Sequence, residues 1–256
     1  MPKPIGEQIV AWSTVIFAIM LITGIVLWWP KNKKSRKQRF SFDWKNSTKW
    51  KRKNYDLHSV AGFYISFLAV IIVFTGLIMA FEWFNGVTYK TLGGEKEVLW
   101  RVPENPSGSV TEYAETAPMD RLYFQLKEKY PQAKDLEFHY PYTSSESIYV
   151  EVGYTEGVYY NADYRFYDQN TLEEVASPTI YGAYEEAGFS EKVMRMNYDI
   201  HVGAIGGLPG KILAFFASLI CASLPVTGFI IWYGRNFKSK SKASARPVKK
   251  RKLATA

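Results

Sequence analysis

Apolar residues are concentrated in three long windows of the chain, residues 9–29, 59–81 and 212–232. Each window is about as long as the ~20 apolar residues that a membrane-spanning helix needs. Together the windows carry almost no charge. The pattern predicts three transmembrane helices and excludes a wholly soluble protein.

The segment between the second and third windows has the shorter periods of a small α+β domain. An amphipathic helix is predicted at residues 118–132, where four apolar residues recur at helical spacing: Met119, Leu122, Leu126 and Tyr130. Alternating or Tyr-rich stretches predict a hairpin of strands at residues 147–154 and 158–167, followed by a third short strand around residues 172–176, and residues 136–142 are strand-like. A second short helix is predicted at residues 181–194.

Charge is strongly partitioned along the chain. Residues 31–53 carry eleven Lys or Arg against one acidic residue, and residues 235–252 carry nine against none. Residues 85–200 carry 20 acidic against 10 basic residues. The positive-inside rule therefore places both basic stretches in the cytoplasm and the acidic segment across the membrane. Their position beside apolar spans favours this topological interpretation over nucleic-acid binding.

These observations predict a membrane α-helical protein with three transmembrane helices and an outer α+β domain. The predicted parts are helix 1 at residues 1–30 with its N-terminus outside, a basic cytoplasmic loop at 31–56, helix 2 at 57–84, the outer domain at 85–200, helix 3 at 201–234 and a basic cytoplasmic tail at 235–256. Helix 1 is not expected to be a cleaved signal peptide, because its basic run follows the span. The only cysteine, Cys221, lies in the third window, which excludes a disulfide framework and a cysteine-based metal site.

The most informative feature is an internal repeat. Residues 54–58 read Asn-Tyr-Asp-Leu-His before helix 2, and residues 197–201 read Asn-Tyr-Asp-Ile-His before helix 3. A Thr-Gly pair recurs late in all three spans, at residues 23–24, 75–76 and 227–228. The helices are therefore interpreted as copies of one unit, with a histidine, His58 or His201, expected at the head of helices 2 and 3.

These motifs, with the Gly-Gly-Leu-Pro-Gly segment at residues 206–210 and the outer helix-plus-hairpin pattern, resemble the PepSY-associated transmembrane helix family of bacterial inner-membrane proteins. The resemblance extends from residue 9 to residue 235. It implies a multi-pass inner-membrane protein with a periplasmic PepSY-like domain. Its iron-regulated members look like haem-containing reductases of ferric siderophores, whose helix-head histidines ligate haem b. The resemblance thus implies that His58 and His201 are axial ligands of haem iron.

The sequence departs from the four-helix pattern of that family. If helix 1 is aligned with helix 3 on Gly24 and Gly228, the counterpart of His201 falls upstream of Met1. His58 and His201 are also expected near opposite membrane faces, roughly 30 Å apart. One iron cannot bind both. We therefore expect each to pair with a histidine from a missing N-terminal part or from a separate chain.

Three functions are compatible with the sequence. The first is electron transfer from a cytoplasmic donor or the quinone pool to an outer ferric chelate. Neither GxGxxG nor a P-loop occurs, so a flavin or NADPH module would be another chain. The second is a binding or regulatory module whose outer domain holds a peptide or ligand, and the third is a non-catalytic subunit of a partner transporter. The catalytic residues stay unassigned, and His139 is interpreted as an ordinary half-buried or surface histidine.

Overall fold

The computed structural model describes residues 3–30, 39–97, 99–108, 118–177 and 179–237. The predictions for residues 31–38 and for the tail beyond residue 237 lie outside these ranges.

Within the described residues, three helices are long and apolar enough to cross a membrane, as the hydropathy pattern predicts. The spans are Ile5–Trp28, Trp50–Ala80 and Ala204–Asn236. The first lies in helix α1, Lys3–Trp28. Only 6% of the apolar window is buried in the first and third spans, against 33% in the second. Lipid or further helices must therefore cover most of the apolar surface of the first and third spans.

The second span is one continuous helix with a wider turn near its start. It consists of α2 (Trp50–Asp56), a π-helical turn (Leu57–Ala61) and α3 (Gly62–Ala80). Phe81 then adopts an extended conformation, and a new helix, α4 (Glu82–Thr91), begins. The second span therefore begins and ends earlier than the predicted residues 57–84. The π turn contains His58, and such turns occur frequently at functional sites.

The outer segment forms a helix and a four-stranded antiparallel sheet. Helix α5 spans Pro118–Lys129, and the strands β1 (Asp135–His139), β2 (Ile148–Gly153), β3 (Ala162–Tyr167) and β4 (Glu174–Val175) pair in chain order. One face of the sheet packs against Leu122 and Leu126 of α5. Strand β3 begins later than the predicted residue 158, because the amides of Tyr159 and Tyr160 bond to a side chain outside the sheet.

The segment before the third span contains a separate helix. Helix α6 spans Phe189–His201, and its start is fixed by Glu191, whose carboxylate accepts the Gly188 N–H at 2.9 Å. The short helix therefore lies later than the predicted residues 181–194. A 3-10 turn (Ala204–Gly206) follows, and α7 spans Gly207–Asn236. His201 thus ends α6 and does not head helix 3, which corrects the expectation from the repeat.

The chain divides into two compact units. The first unit comprises residues 1–17 and 71–214, and the second comprises residues 18–70 and 215–256. The outer domain belongs to the first unit. Each unit holds one copy of the Asn-Tyr-Asp-(Leu/Ile)-His motif.

Candidate functional site

In the second unit, the motif of the second span contacts a Thr-Gly pair of α7. The His58 Nδ1 atom lies 3.0 Å from the Thr227 hydroxyl oxygen. The side-chain amide of Asn54, four residues earlier, donates to the Thr227 carbonyl oxygen at 3.1 Å. A Cβ on Gly228 would lie 3.2 Å from Cε1 of His58, so the imidazole occupies the space that the glycine leaves free.

In the first unit, the motif of α6 makes the same contacts with the Thr-Gly pair of α3. The His201 Nδ1 atom lies 2.9 Å from the Thr75 hydroxyl oxygen, and the Asn197 amide donates to the Thr75 carbonyl oxygen at 3.1 Å. A Cβ on Gly76 would lie 3.3 Å from Cε1 of His201. The two histidine sites therefore share an Asn, a His, a Thr and a Gly in matching roles.

These contacts fix which ring nitrogen carries the proton. Each threonine hydroxyl also lies within hydrogen-bonding distance of carbonyl oxygens of its own helix, 3.0 Å for Thr227 and 2.9 Å for Thr75 at the closest. The hydroxyl has one proton and donates it to its own helix, so it accepts from Nδ1–H. The other nitrogen, Nε2, then keeps its lone pair. The contacts of both rings with the threonines use Nδ1, and each ring also hydrogen-bonds to a backbone carbonyl of the same helix, that of Leu224 for His58 and that of Ile72 for His201.

The aspartate of each motif is buried and connects the histidine site to its surroundings. Asp56 is 1% exposed and accepts from the Trp44 indole at 3.1 Å and from Arg52 at 2.8 Å. Asp199 is fully buried and accepts the backbone N–H groups of Tyr159 and Tyr160. Burial raises the pKa of Asp199, and these two amides counteract the rise.

The third Thr-Gly pair, in α1, has no such partner among the described residues. The Thr23 hydroxyl donates to carbonyl oxygens of its own helix at 2.8 and 3.1 Å. A Cβ on Gly24 would meet nothing within 4 Å. The surface at Thr23 and Gly24 is therefore open where the other two pairs each hold an imidazole.

The third histidine of the chain lies in the outer domain, in a different setting. The His139 ring stacks on Tyr149 with centroids 4.4 Å apart, and its Nε2 lies 3.4 Å from a carboxylate oxygen of Glu151. Tyr149 also donates its hydroxyl to Glu151. Burial raises the pKa of that carboxyl group. His139 is partly exposed and contacts neither motif histidine, so it is suited as a control residue.

Each histidine site offers a single side chain that could ligate a metal or a haem iron. Among the described residues no group of three or more His, Cys, Asp or Glu side chains could hold a metal ion. Each histidine site instead offers one oriented imidazole whose Nε2 is free, which is what an axial haem ligand requires. Sequence reasoning had found both histidines and the Thr-Gly pairs, but it did not connect them and assigned no role to Asn54 or Asn197.

Comparison with known proteins agrees with the resemblance read from the motifs. The sequence profile of the PepSY-associated TM region matches residues 1–235. A search of curated proteins returned no match. The match covers both histidine sites, the outer domain and all three spanning helices.

Proposed function

The chain belongs to the PepSY-associated transmembrane family, and we propose that it carries electrons across a bacterial inner membrane as part of a haem-dependent system that reduces ferric chelates for iron uptake. The observation that carries this proposal is the duplicated histidine site. In both copies, hydrogen bonds orient the imidazole through Nδ1 and leave Nε2 free. A histidine with no role beyond surface anchoring would not be expected to have the same Asn, Thr and Gly contacts in both copies.

Haem b, when bound, would supply one-electron transfer, and the protein residues would set its position. His58 and His201 would each ligate one iron through Nε2. The threonine hydroxyls hold the ring tautomer, the asparagines hold the motif against the threonine carbonyl, and the glycines give the ring its space. A hydrogen bond donated by Nδ1–H also raises the basicity of Nε2, the nitrogen that would ligate the iron.

The second ligand of each haem would come from further helices. We infer that at least one of these helices binds the open surface at Thr23 and Gly24, because the two equivalent surfaces each receive a histidine. A matching helix would carry Asn and His four residues apart, so that the amide reaches the Thr23 carbonyl and Nδ1–H reaches the hydroxyl.

The charge pattern supports the orientation of this system. Basic residues flank the spans at residues 31–53 and 235–252, and the domain at residues 85–200 carries an excess of acidic residues. The proposed orientation has a cytoplasmic tail and a periplasmic domain. The electron donor would be a cytoplasmic protein or the quinone pool, and the acceptor a chelate at the outer face.

The test compares the chain purified from its native membranes with the chain produced alone. A reduced-minus-oxidised spectrum should show a b-type signal in native material and a weak or absent signal in the chain alone. His58→Ala and His201→Ala should each remove about half of the native signal. His139→Ala, the matched control, should leave it unchanged. Absence of haem from the native material would overturn the proposal.

A ligand-binding role for the outer domain is the second candidate function. It is favoured by a cavity of about 270 Å³ within the first unit, lined by residues of the outer domain, α3 and α6. If native material contains no haem, a binding or regulatory function would remain the better explanation for this cavity.

A further inference from the structure

The second unit holds a cavity between the start of the second span and the end of α7. Residues from 49–55 line one side of it, and residues from 229–235 line the other. Its volume of about 800 Å³ lies within the ~300–1,000 Å³ range of small-molecule sites. The apolar window of the second span begins at residue 59, and that of α7 ends at residue 232. The cavity therefore lies where the hydrocarbon core of a membrane meets the head groups.

Four cationic side chains line this cavity, and three of them have no carboxylate partner in the described part of the chain. Arg52 pairs with the buried carboxylate of Asp56 at 2.8 Å. Lys49, Lys51 and Arg235 are exposed and form no ion pair with a described residue. No acidic side chain is among the described residues that line the cavity. The lining therefore has an uncompensated positive charge that favours an anionic ligand.

The lining on the side of α7 is apolar and aromatic. Phe229 and Tyr233 lie one helical turn apart and stack, with ring centroids 6.3 Å apart. Both are exposed, as is Ile230. Trp50 and Tyr55 add aromatic surface on the side of the second span. Such rings are typical of the head-group level of a membrane, and here they lie in the same cavity as the cations.

We propose that this cavity binds an anionic phospholipid. The phosphate oxygens accept hydrogen bonds from Lys49, Lys51 and Arg235, and an arginine can bind a phosphate through two parallel N–H groups. The glycerol and the upper part of the acyl chains pack against Phe229 and Ile230. Basic pockets between transmembrane helices bind the head groups of acidic lipids in this way.

The apolar lining distinguishes a lipid from other anions. Positive charge alone would suit free phosphate or an acidic peptide equally well. Phe229 and Ile230, however, belong to a span that is buried over only 6% of its apolar window, so they adjoin lipid. A ligand that combines a phosphate with acyl chains satisfies both halves of the lining at once.

The lipid site is separate from the nearby histidine site but shares one residue with it. Asn54 lines the cavity and also donates to the Thr227 carbonyl at 3.1 Å, whereas His58 does not line it. A bound lipid would therefore contact both helices that form the second unit's histidine site. The proposal goes beyond electron transfer, because binding of the lipid requires no haem.

The test uses the full chain without haem in a non-ionic detergent and measures lipid binding by native mass spectrometry. Phosphatidylglycerol should bind at least tenfold more tightly than phosphatidylcholine with the same acyl chains. It should also bind at least tenfold more tightly than glycerol phosphate, which has the anionic group but no acyl chain. The proposal is overturned if phosphatidylcholine or glycerol phosphate binds as tightly. It is also overturned if an oligoglutamate peptide does, since that result would indicate an acidic protein partner.

Two charge variants test the cationic side of the cavity. Lys49→Gln and Arg235→Gln should each weaken phosphatidylglycerol binding about fivefold. Neither side chain has an ion pair among the described residues, so folding should be preserved. Lys45→Gln is the matched control, because Lys45 is an exposed lysine before the second span that does not line the cavity. Wild-type binding by both cavity variants, or an equal loss in the control, would contradict the proposal.

A third variant tests the cavity itself by filling it. Gly234 lines the cavity, and a Cβ on it would meet no atom within 4 Å. Gly234→Leu should therefore project into the cavity and weaken phosphatidylglycerol binding at least tenfold. Gly86→Leu in α4, where a Cβ also meets open space, should leave binding unchanged. Binding by Gly234→Leu that equals the wild type would place the lipid elsewhere and overturn the proposal.

Discussion

The two copies of the Asn-Tyr-Asp-(Leu/Ile)-His motif hold their histidines alike but are built into the chain differently. His58 lies in a π turn of an unbroken helix, whereas His201 ends α6 and is followed by a sharp turn before α7. Asp56 accepts from side chains, and Asp199 accepts from backbone amides of the outer domain. The shared Asn-His-Thr-Gly contacts therefore form the invariant part, and the aspartate adapts each copy to its surroundings.

This comparison also explains why the spacing within the repeat differs. Gly76 lies 18 residues after His58, whereas Gly228 lies 27 residues after His201. Five of the nine additional residues form the turn and the 3-10 segment at residues 202–206, between α6 and α7. A single uninterrupted helix is thus not required for the histidine contacts, because each imidazole is held by another helix.

The largest expected effect is confined to the second copy and concerns Gly203. This glycine has φ +77°, and a Cβ would lie 2.3 Å from the Gly210 carbonyl oxygen. Gly203→Ala should lower the free energy of unfolding by about 2–3 kcal/mol, measured by thermal unfolding in detergent. Gly62→Ala, near His58, meets only ordinary contacts from 3.5 Å and should change stability little. Equal effects of the two variants would remove the distinction between the copies.

The aspartates should also differ in the effect of their removal. Asp199→Ala leaves the backbone N–H groups of Tyr159 and Tyr160 without their acceptor and should cost about 2 kcal/mol. Asp56→Ala should cost less, because the side chain of Arg52 is 40% exposed and water can replace the carboxylate. Hydrogen exchange measures the difference directly. The amides of Tyr159 and Tyr160 should lose protection in Asp199→Ala and keep it in Asp56→Ala.

The threonines should behave alike in both copies. Thr227→Val and Thr75→Val remove one acceptor of the ring N–H, leaving the backbone carbonyls of Leu224 and Ile72, and should each cost about 1 kcal/mol. Nitrogen NMR of labelled histidine should show a mixture of the two neutral tautomers in place of the Nδ1–H form. Ser223→Ala is the matched control, because its hydroxyl bonds only to its own helix, at 2.7 Å from the Ile220 carbonyl. A predominant Nε2–H tautomer in the wild type would contradict the assignment of Nε2 as the free nitrogen.

The smallest effect is expected at the glycines beneath the rings. Gly228→Ala and Gly76→Ala would each require the imidazole to move by a few tenths of an ångström. The cost should be about 0.5–1 kcal/mol, with a shift of the histidine ring resonances. Gly234→Ala in α7 meets no atom within 4 Å and should leave both unchanged. A shift of the same size in the control would indicate a general helix effect.

Much of the architecture could be predicted from local pattern, but the pairing of the motifs could not. Long apolar windows report membrane helices directly, and the repeat marked both histidines. That His58 faces Thr227 and His201 faces Thr75 depends on packing between helices distant in sequence. The boundary of β3 was missed for a similar reason. Tyr159 and Tyr160 have strand-like side chains, but Asp199 takes their amides out of the ladder.

The open Thr23–Gly24 surface of α1 has a consequence for how the chain depends on its neighbours. The second span gives a histidine to α7 and receives the histidine of α6, so donors and acceptors balance there. Within the described residues, helix α1 has a Thr-Gly surface that could receive a histidine, but it gives no histidine to another helix. A helix that binds this surface stabilises the folded chain by mass action. We therefore expect the midpoint of thermal unfolding of the chain to rise with the concentration of that helix, as it does for a subunit that is completed by its partner.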